Sequence, residues 1–112
     1  MAREEFEELV ADVLDAVPEP FASAFEDVAV TVEEYVPPGS RPLYGLYTGV
    51  PLTEGSLPSG MLPAHIAIYM HPLLDHFHTH ADVAEQVRIT VLHELAHHLG
   101  FGEERLEDLG YG

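Results

Sequence analysis

Cysteine, lysine and tryptophan are absent from this 112-residue sequence, whereas histidine occurs eight times. Without cysteine, the chain has no disulfides, no thiolate metal ligands and no cysteine nucleophile. Any zinc site must therefore use imidazole and carboxylate ligands, a combination typical of catalytic rather than structural zinc.

Positive charge is also scarce. The sequence has four arginines and twenty acidic residues, and its formal net charge at pH 7 is −16. This charge argues against nucleic acid and against an anionic membrane surface as partners. Three interpretations remain: the charge keeps the protein soluble, it steers basic peptides toward the protein, or it reflects adaptation to high salt.

Long hydrophobic runs are missing, and none approaches the length of a membrane span. The first residues, from Met1 to Phe6, lack a positively charged stretch followed by an apolar core, so we expect no signal peptide. A cytoplasmic location is therefore expected. The length predicts a single domain, residues 1–112, with a modest core.

The hydrophobic pattern predicts an α+β fold in which a small mixed sheet of three to four strands packs on two helices. Apolar residues recur at helical spacing over residues 2–17, and residues 21–25 suit one short helical turn. Period-two alternation predicts strands at residues 28–33 and 64–70, and the aromatic-rich segment at residues 43–48 is a further strand candidate. Gly45 in the second of these indicates a bulge or a close approach of another element.

Thr79 is the expected N-cap of a second long helix, with Asp82 three residues on as a shortened capping box. Gly100 is the expected helix stop, because glycine accepts the left-handed conformation at little steric cost. Between them lies an apolar row at i+4 spacing: Val83, Val87, Val91 and Leu95.

His93, Glu94 and His97 form an HExxH motif on the last two turns of this helix. Residues i and i+4 share one helix face, so both imidazoles can bind one metal ion. Glu94, one step round the helix, can then act on a water at that metal as a general base. The alternative interpretation is that these are ordinary polar residues at the end of an amphipathic helix.

The spacing from His93 to Glu103 resembles the extended metzincin pattern HExxHxxGxxH. The HELAHHLG segment is more closely similar to the minimal zincin-like metalloprotease family, whose members are similarly short. Further similar stretches are residues 28–34, 66–74, 83–100 and 105–111. The resemblance implies a zincin-like fold, Zn²⁺ as cofactor, His93 and His97 as metal ligands and Glu94 as the catalytic residue.

The resemblance also implies a third metal ligand at Glu103. The family usually has Asp in this place, so Glu103 is a departure, but Glu is a competent zinc ligand. Other residues near it are alternative ligands or partners that orient a histidine: Glu104, Glu107 and Asp108. Tyr111 is a candidate for a hydroxyl that stabilises a developing oxyanion.

An edge strand lies above the active-site helix in zincins and pairs with extended substrate. By its position, the strand predicted at residues 64–70 resembles that edge strand, and Pro63 and Pro72 at its flanks fit an edge location. Main-chain hydrogen bonds would then hold a peptide across the metal.

Four histidines precede the second long helix: His71, His76, His78 and His80. One interpretation makes them a second metal site, and the interpretation that we favour is an exposed, compositionally biased turn. His98 points about 100° away from His97 on a helix, so we expect it to have a packing or a surface role rather than to bind the metal. His65 is also expected to be structural.

These observations predict a zinc-dependent peptidase that acts on peptides or proteins, basic ones included. All three methionines (Met1, Met61 and Met70) precede the motif, so no Met-turn follows it, which is compatible with weak activity. The alternative is a non-catalytic zinc- or peptide-binding module that retains the zincin fold. A third alternative is a structural domain whose motif holds no metal.

Overall fold

The computed structural model describes residues 1–19, 21–25, 28–40, 43–49 and 64–99. The elements within these ranges are α1 (Arg3–Asp15), α2 (Phe21–Ala24), β1 (Val28–Glu33), β2 (Gly45–Thr48), β3 (Ala64–Tyr69), α3 (Met70–His76) and α4 (His80–His98). The predicted α+β fold, with a small mixed sheet, an N-terminal helix and a motif-bearing helix, is confirmed.

β3 is the central strand of the described sheet, whose strand order is β1-β3-β2. β1 is parallel and β2 antiparallel to β3, so Ile66 pairs with Val30 on one side and Tyr47 on the other. The prediction that this segment is an edge strand is therefore wrong. A central strand that packs on both faces is largely apolar, and Ile66 is 0% and Tyr69 3% exposed.

The core lies between one face of the sheet and the helices α1 and α4. Alternate residues of a strand share a face, and Ala64, Ile66 and Ile68 belong to one hydrophobic cluster with the helix residues. The helices contribute the apolar rows that the sequence predicts: Phe6, Leu9 and Val10 from α1, and Val83, Val87, Val91 and Leu95 from α4. Burial of the α4 row sets the rotation of α4 about its axis, and with it the direction in which the HExxH side chains point.

The N-terminal helices lie where the sequence places them. α1 ends at Asp15, two residues short of the predicted end, and α2 forms the predicted short turn. The Arg3 guanidinium donates a 2.6 Å hydrogen bond to the Val32 carbonyl, which joins the start of α1 to β1.

Among the described residues, no helix combines the length and the hydrophobicity that a membrane crossing requires.

α3 is a helix that the sequence pattern does not predict. The strand predicted to reach Met70 ends at Tyr69, and Met70 is the first residue of α3. Pro72 is the third helical residue. Its missing N–H costs nothing there, because the first N–H groups of a helix have no acceptor within it. Pro72 therefore marks a helix start rather than an edge strand.

α4 begins with the predicted cap. The Thr79 hydroxyl accepts a 3.1 Å hydrogen bond from the Asp82 N–H, one of the N–H groups that the helix itself leaves without an acceptor. The helix then continues to His98 and carries the whole motif. Gly100, the predicted helix stop, lies outside the described residues.

Replacing Thr79 with alanine should lower the free energy of unfolding by about 1 kcal/mol, because the Asp82 N–H loses its acceptor. Thr79→Ser keeps the hydroxyl and serves as the matched control. Urea unfolding measures both variants, and equal losses in the two would contradict the capping role.

Candidate active site

His93 and His97 lie on consecutive turns of α4, and the structure brings their rings together. The ring centroids are 5.1 Å apart and the ring planes make an angle of 66°. The His97 side chain is 40% exposed. The pair is therefore within reach of an ion from solvent, on the face that the i, i+4 spacing predicts.

The spacing of these rings can be compared with zinc chemistry. Zinc binds an imidazole nitrogen at about 2.0–2.1 Å, so the ring centroid lies about 3 Å from the ion, and two rings at a tetrahedral angle have centroids about 5 Å apart. The observed 5.1 Å is close to this value. The spacing of the His93 and His97 rings is therefore compatible with a shared zinc ion.

A third ligand is not found within the part of the chain that the structure describes. Among those residues, no group of three or more His, Asp or Glu side chains is arranged to hold a metal ion. Glu103, the predicted third ligand, lies outside the described residues, as do its alternatives Glu104, Glu107 and Asp108, and Tyr111. The role of Glu103 stays a prediction.

The Glu94 side chain extends from α4 to the sheet and is 14% exposed. Its Oε2 accepts a 3.1 Å hydrogen bond from the peptide N–H of Tyr47 in β2. The same oxygen lies 3.4 Å from His97 Nδ1. One carboxylate oxygen is therefore held between the strand and the second histidine of the motif.

Gly45 allows β2 to lie this close to α4. A Cβ at this position would lie 2.6 Å from Thr90 Cγ2 and 3.1 Å from the Ala67 carbonyl oxygen. Of the two roles that the sequence indicates for this glycine, the structure shows the close approach. The contact lies one helical turn before Glu94, so it bears directly on the candidate site.

Tyr47 makes further contacts with the end of α4. Its hydroxyl lies 3.2 Å from His98 Nδ1, and its ring centroid is 5.9 Å from that of His98. His98 is 2% exposed, so of the two expected roles, packing and surface, it has the packing role. Sequence reasoning does not select Tyr47, because the group that contacts Glu94 is a backbone N–H, which every residue except proline has.

Three of the other histidines contact side chains of distant segments. The His76 Nδ1 and the Tyr44 hydroxyl are 2.7 Å apart, and the His71 ring stacks on Tyr35 with a centroid distance of 4.5 Å. His65 Nε2 lies 2.6 Å from the Thr31 hydroxyl, in the expected structural role. His71, His76, His78 and His80 are all described, and they form no three-ligand group with any described residue. The structure gives no support to a second metal site there.

A cavity of about 300 Å³ opens beside the motif. Uncharged side chains form its wall away from the motif, and His93 and Glu94 form its near side. The uncharged lining residues include Leu43, Tyr44, Gln86 and Ile89. The cavity therefore offers a mainly apolar surface within reach of the candidate base.

Tyr69 lies at the end of β3, with a side chain that is almost fully buried. Burial raises the pKa of its hydroxyl above the ordinary value, and the negative charges of Glu33 and Glu94 add to the rise. Both effects disfavour the phenolate. Tyr69 is therefore neutral at neutral pH.

Known proteins resemble this chain over most of its length. The family model described as zincin-like metallopeptidase matches residues 23–112. A solved structure of a conserved hypothetical protein from Thermus thermophilus is similar, with 34% sequence identity and a TM-score of 0.61. The similarity covers 88% of this chain and 94% of that one. No curated protein matches this chain.

Replacing His93 with alanine should lower zinc affinity by more than about 100-fold, because changes to groups behind metal ligands already cost roughly 10- to 100-fold. His78→Ala changes an exposed histidine outside the motif and is the matched control. Metal content after dialysis against a weak chelator checks both variants. Similar zinc retention in wild type and His93→Ala would contradict the assignment.

Proposed function

Because the chain belongs to the zincin-like metallopeptidase family, we propose that it is a zinc-dependent peptidase with Glu94 as its general base. The observation that carries the proposal is the position of the Glu94 carboxylate. One of its oxygens lies 3.4 Å from His97 Nδ1 and accepts a backbone N–H. The His97 ring is in turn 5.1 Å from that of His93, a spacing compatible with a shared zinc ion.

His93 and His97 are the proposed metal ligands, and Glu103 is proposed as the third. Zinc in this place would act as a Lewis acid that polarises a carbonyl and brings the pKa of water toward about 7. Both imidazoles must be neutral to bind it. His97 Nδ1 faces Glu94, so Nε2 is the nitrogen that we assign to the metal.

Glu94 has two tasks in this proposal. Its Oε2 accepts the Tyr47 N–H, which orients the carboxylate that we propose for proton transfer. The carboxylate takes a proton from the attacking water and returns it to the leaving amine. A carboxylate that is already oriented needs less ordering on the way to the transition state.

β2 is the strand that we propose for substrate binding, in place of the segment at residues 64–70. In the described sheet it pairs on one side with β3, and at its other edge, beside the motif, the Tyr47 N–H donates to Glu94. An extended peptide recognised at this edge would use backbone groups of β2 other than the Tyr47 N–H. The cavity beside Glu94 would hold one uncharged side chain of that peptide, while the charge of −16 favours basic residues elsewhere in it.

Glu94→Gln should keep zinc and lose peptidase activity by about 10²- to 10⁴-fold, because the amide cannot accept the proton. Cleavage of a fluorogenic peptide library measures activity, and metal analysis of the same sample measures zinc. Wild-type activity in the variant would exclude Glu94 as the base. Peptide binding by the wild type without any cleavage would favour the non-catalytic binding module.

Ile89→Glu should shift the preference of the enzyme toward peptides with a lysine or arginine in the cavity. The new carboxylate can pair with that residue, and a pair of up to about 1 kcal/mol corresponds to about fivefold in kcat/KM. Ile89→Leu keeps the apolar surface and is the control. If both variants had the same ratio of kcat/KM for lysine and leucine peptides, the cavity would not be part of the substrate site.

A further inference from the structure

Every second residue of β2 turns its backbone groups away from β3, and this follows from the antiparallel ladder. The Tyr44 carbonyl accepts a 2.9 Å hydrogen bond from the Tyr69 N–H, so Tyr44 turns its backbone groups toward β3. Successive residues of a strand alternate in this respect. Leu46 therefore also turns toward β3, whereas Gly45 and Tyr47 turn away from it. The acceptor of the Tyr47 N–H accordingly comes from α4 and is Glu94.

The strand and the helix match each other in rise over this stretch. Two strand residues, from Gly45 to Tyr47, advance about 6.8 Å. Four helix residues, from Thr90 to Glu94, advance about 6 Å. Gly45 packs against Thr90. The two advances are similar, so Tyr47, two residues along the strand, comes opposite Glu94, four residues along the helix. The alignment of β2 along α4 therefore brings the Tyr47 N–H to the Glu94 carboxylate.

We propose that β2 positions the general base, with the Tyr47 N–H holding Glu94 and the missing Cβ of Gly45 setting the distance. The proposal rests on the proposed role of Glu94. Its consequence is that the orientation of the base depends on a backbone group and on a glycine outside the HExxH motif. Both are positioning residues, because neither is assigned a contact with the reacting atoms.

A side chain at residue 45 would push the strand away from the helix. Its Cβ would lie 2.6 Å from Thr90 Cγ2, whereas unstrained carbon contacts lie at about 3.5–4.0 Å. Either the Thr90 side chain or the strand would have to shift by about 1 Å. A shift of the strand would lengthen the 3.1 Å hydrogen bond between Tyr47 and Glu94 to about 4 Å, which is beyond the hydrogen-bonding range. His93 and His97 are both on α4, so their spacing would not change.

Amide hydrogen exchange tests the contact without any need for activity. In Glu94→Ala the Tyr47 N–H should exchange at least about tenfold faster than in wild type, because a hydrogen bond to a charged acceptor contributes about 1.5–3 kcal/mol. The Leu46 N–H faces β3 and is the internal control. An unchanged Tyr47 rate, or an equal acceleration at Leu46, would overturn the proposal.

A double-mutant cycle tests the role of Gly45. Gly45→Ala should accelerate Tyr47 exchange as Glu94→Ala does, lower kcat by up to about 100-fold through misplacement of the base, and leave zinc retention unchanged. In a Thr90→Ser background, which removes Cγ2, the same change should cost much less. Parallel loss of zinc, kcat and global stability in Gly45→Ala, with no rescue by Thr90→Ser, would show a merely structural role.

The two proposals fail in different ways. If Tyr47 exchange responds to Glu94→Ala but no peptide is cleaved, the positioning contact stands and the peptidase assignment is wrong. If peptides are cleaved and Glu94→Gln is inactive, yet Tyr47 exchange is insensitive to Glu94→Ala, the base is correct and β2 does not position it.

Discussion

The Cβ that Gly45 lacks is the constraint on which the candidate site depends. A methyl group there would overlap with Thr90, so glycine is what allows β2 to lie directly on α4. This approach brings the Tyr47 N–H to the Glu94 carboxylate. On its other side β2 pairs with β3, whose apolar side chains are buried in the centre of the sheet. The orientation of one carboxylate is therefore supported by the packing of the whole sheet.

The two halves of the candidate site have different physical origins. The imidazoles of His93 and His97 come together because residues four apart on a helix share a face, which requires α4 alone. The carboxylate of Glu94 is oriented by a strand that lies almost fifty positions earlier in the chain. A chain that kept the helix but lost this contact would keep its paired imidazoles and lose the alignment of the Glu94 carboxylate. The proposed metal site and the proposed base are therefore held by different parts of the fold.

The differences between prediction and structure follow from particular residues. Pro72 fits the flank of an edge strand, but proline is equally acceptable in the first turn of a helix, and α3 begins there. Residues 64–69 show a strand-like alternation, yet Ala67 and Tyr69 are buried on the face opposite to Ile66. Alternation identifies a strand without telling whether its second face meets solvent, and strand order depends on contacts between distant segments. The histidines from His71 to His80 are close in sequence, but His71 and His76 each contact a tyrosine of another segment.

The sequence by itself determined α1, α4 and its Thr79 cap, the three strands, the apolar rows of the core and the pairing of His93 with His97. All of these depend on spacing along the chain or on hydrogen bonds within a few residues. Only the tertiary structure decided that β3 is central, that β2 lies on α4, and that the N–H of Tyr47 holds Glu94. The physical reason is that a backbone N–H is common to nearly every residue, so its partner is chosen by the packing of distant segments and leaves no mark in the sequence.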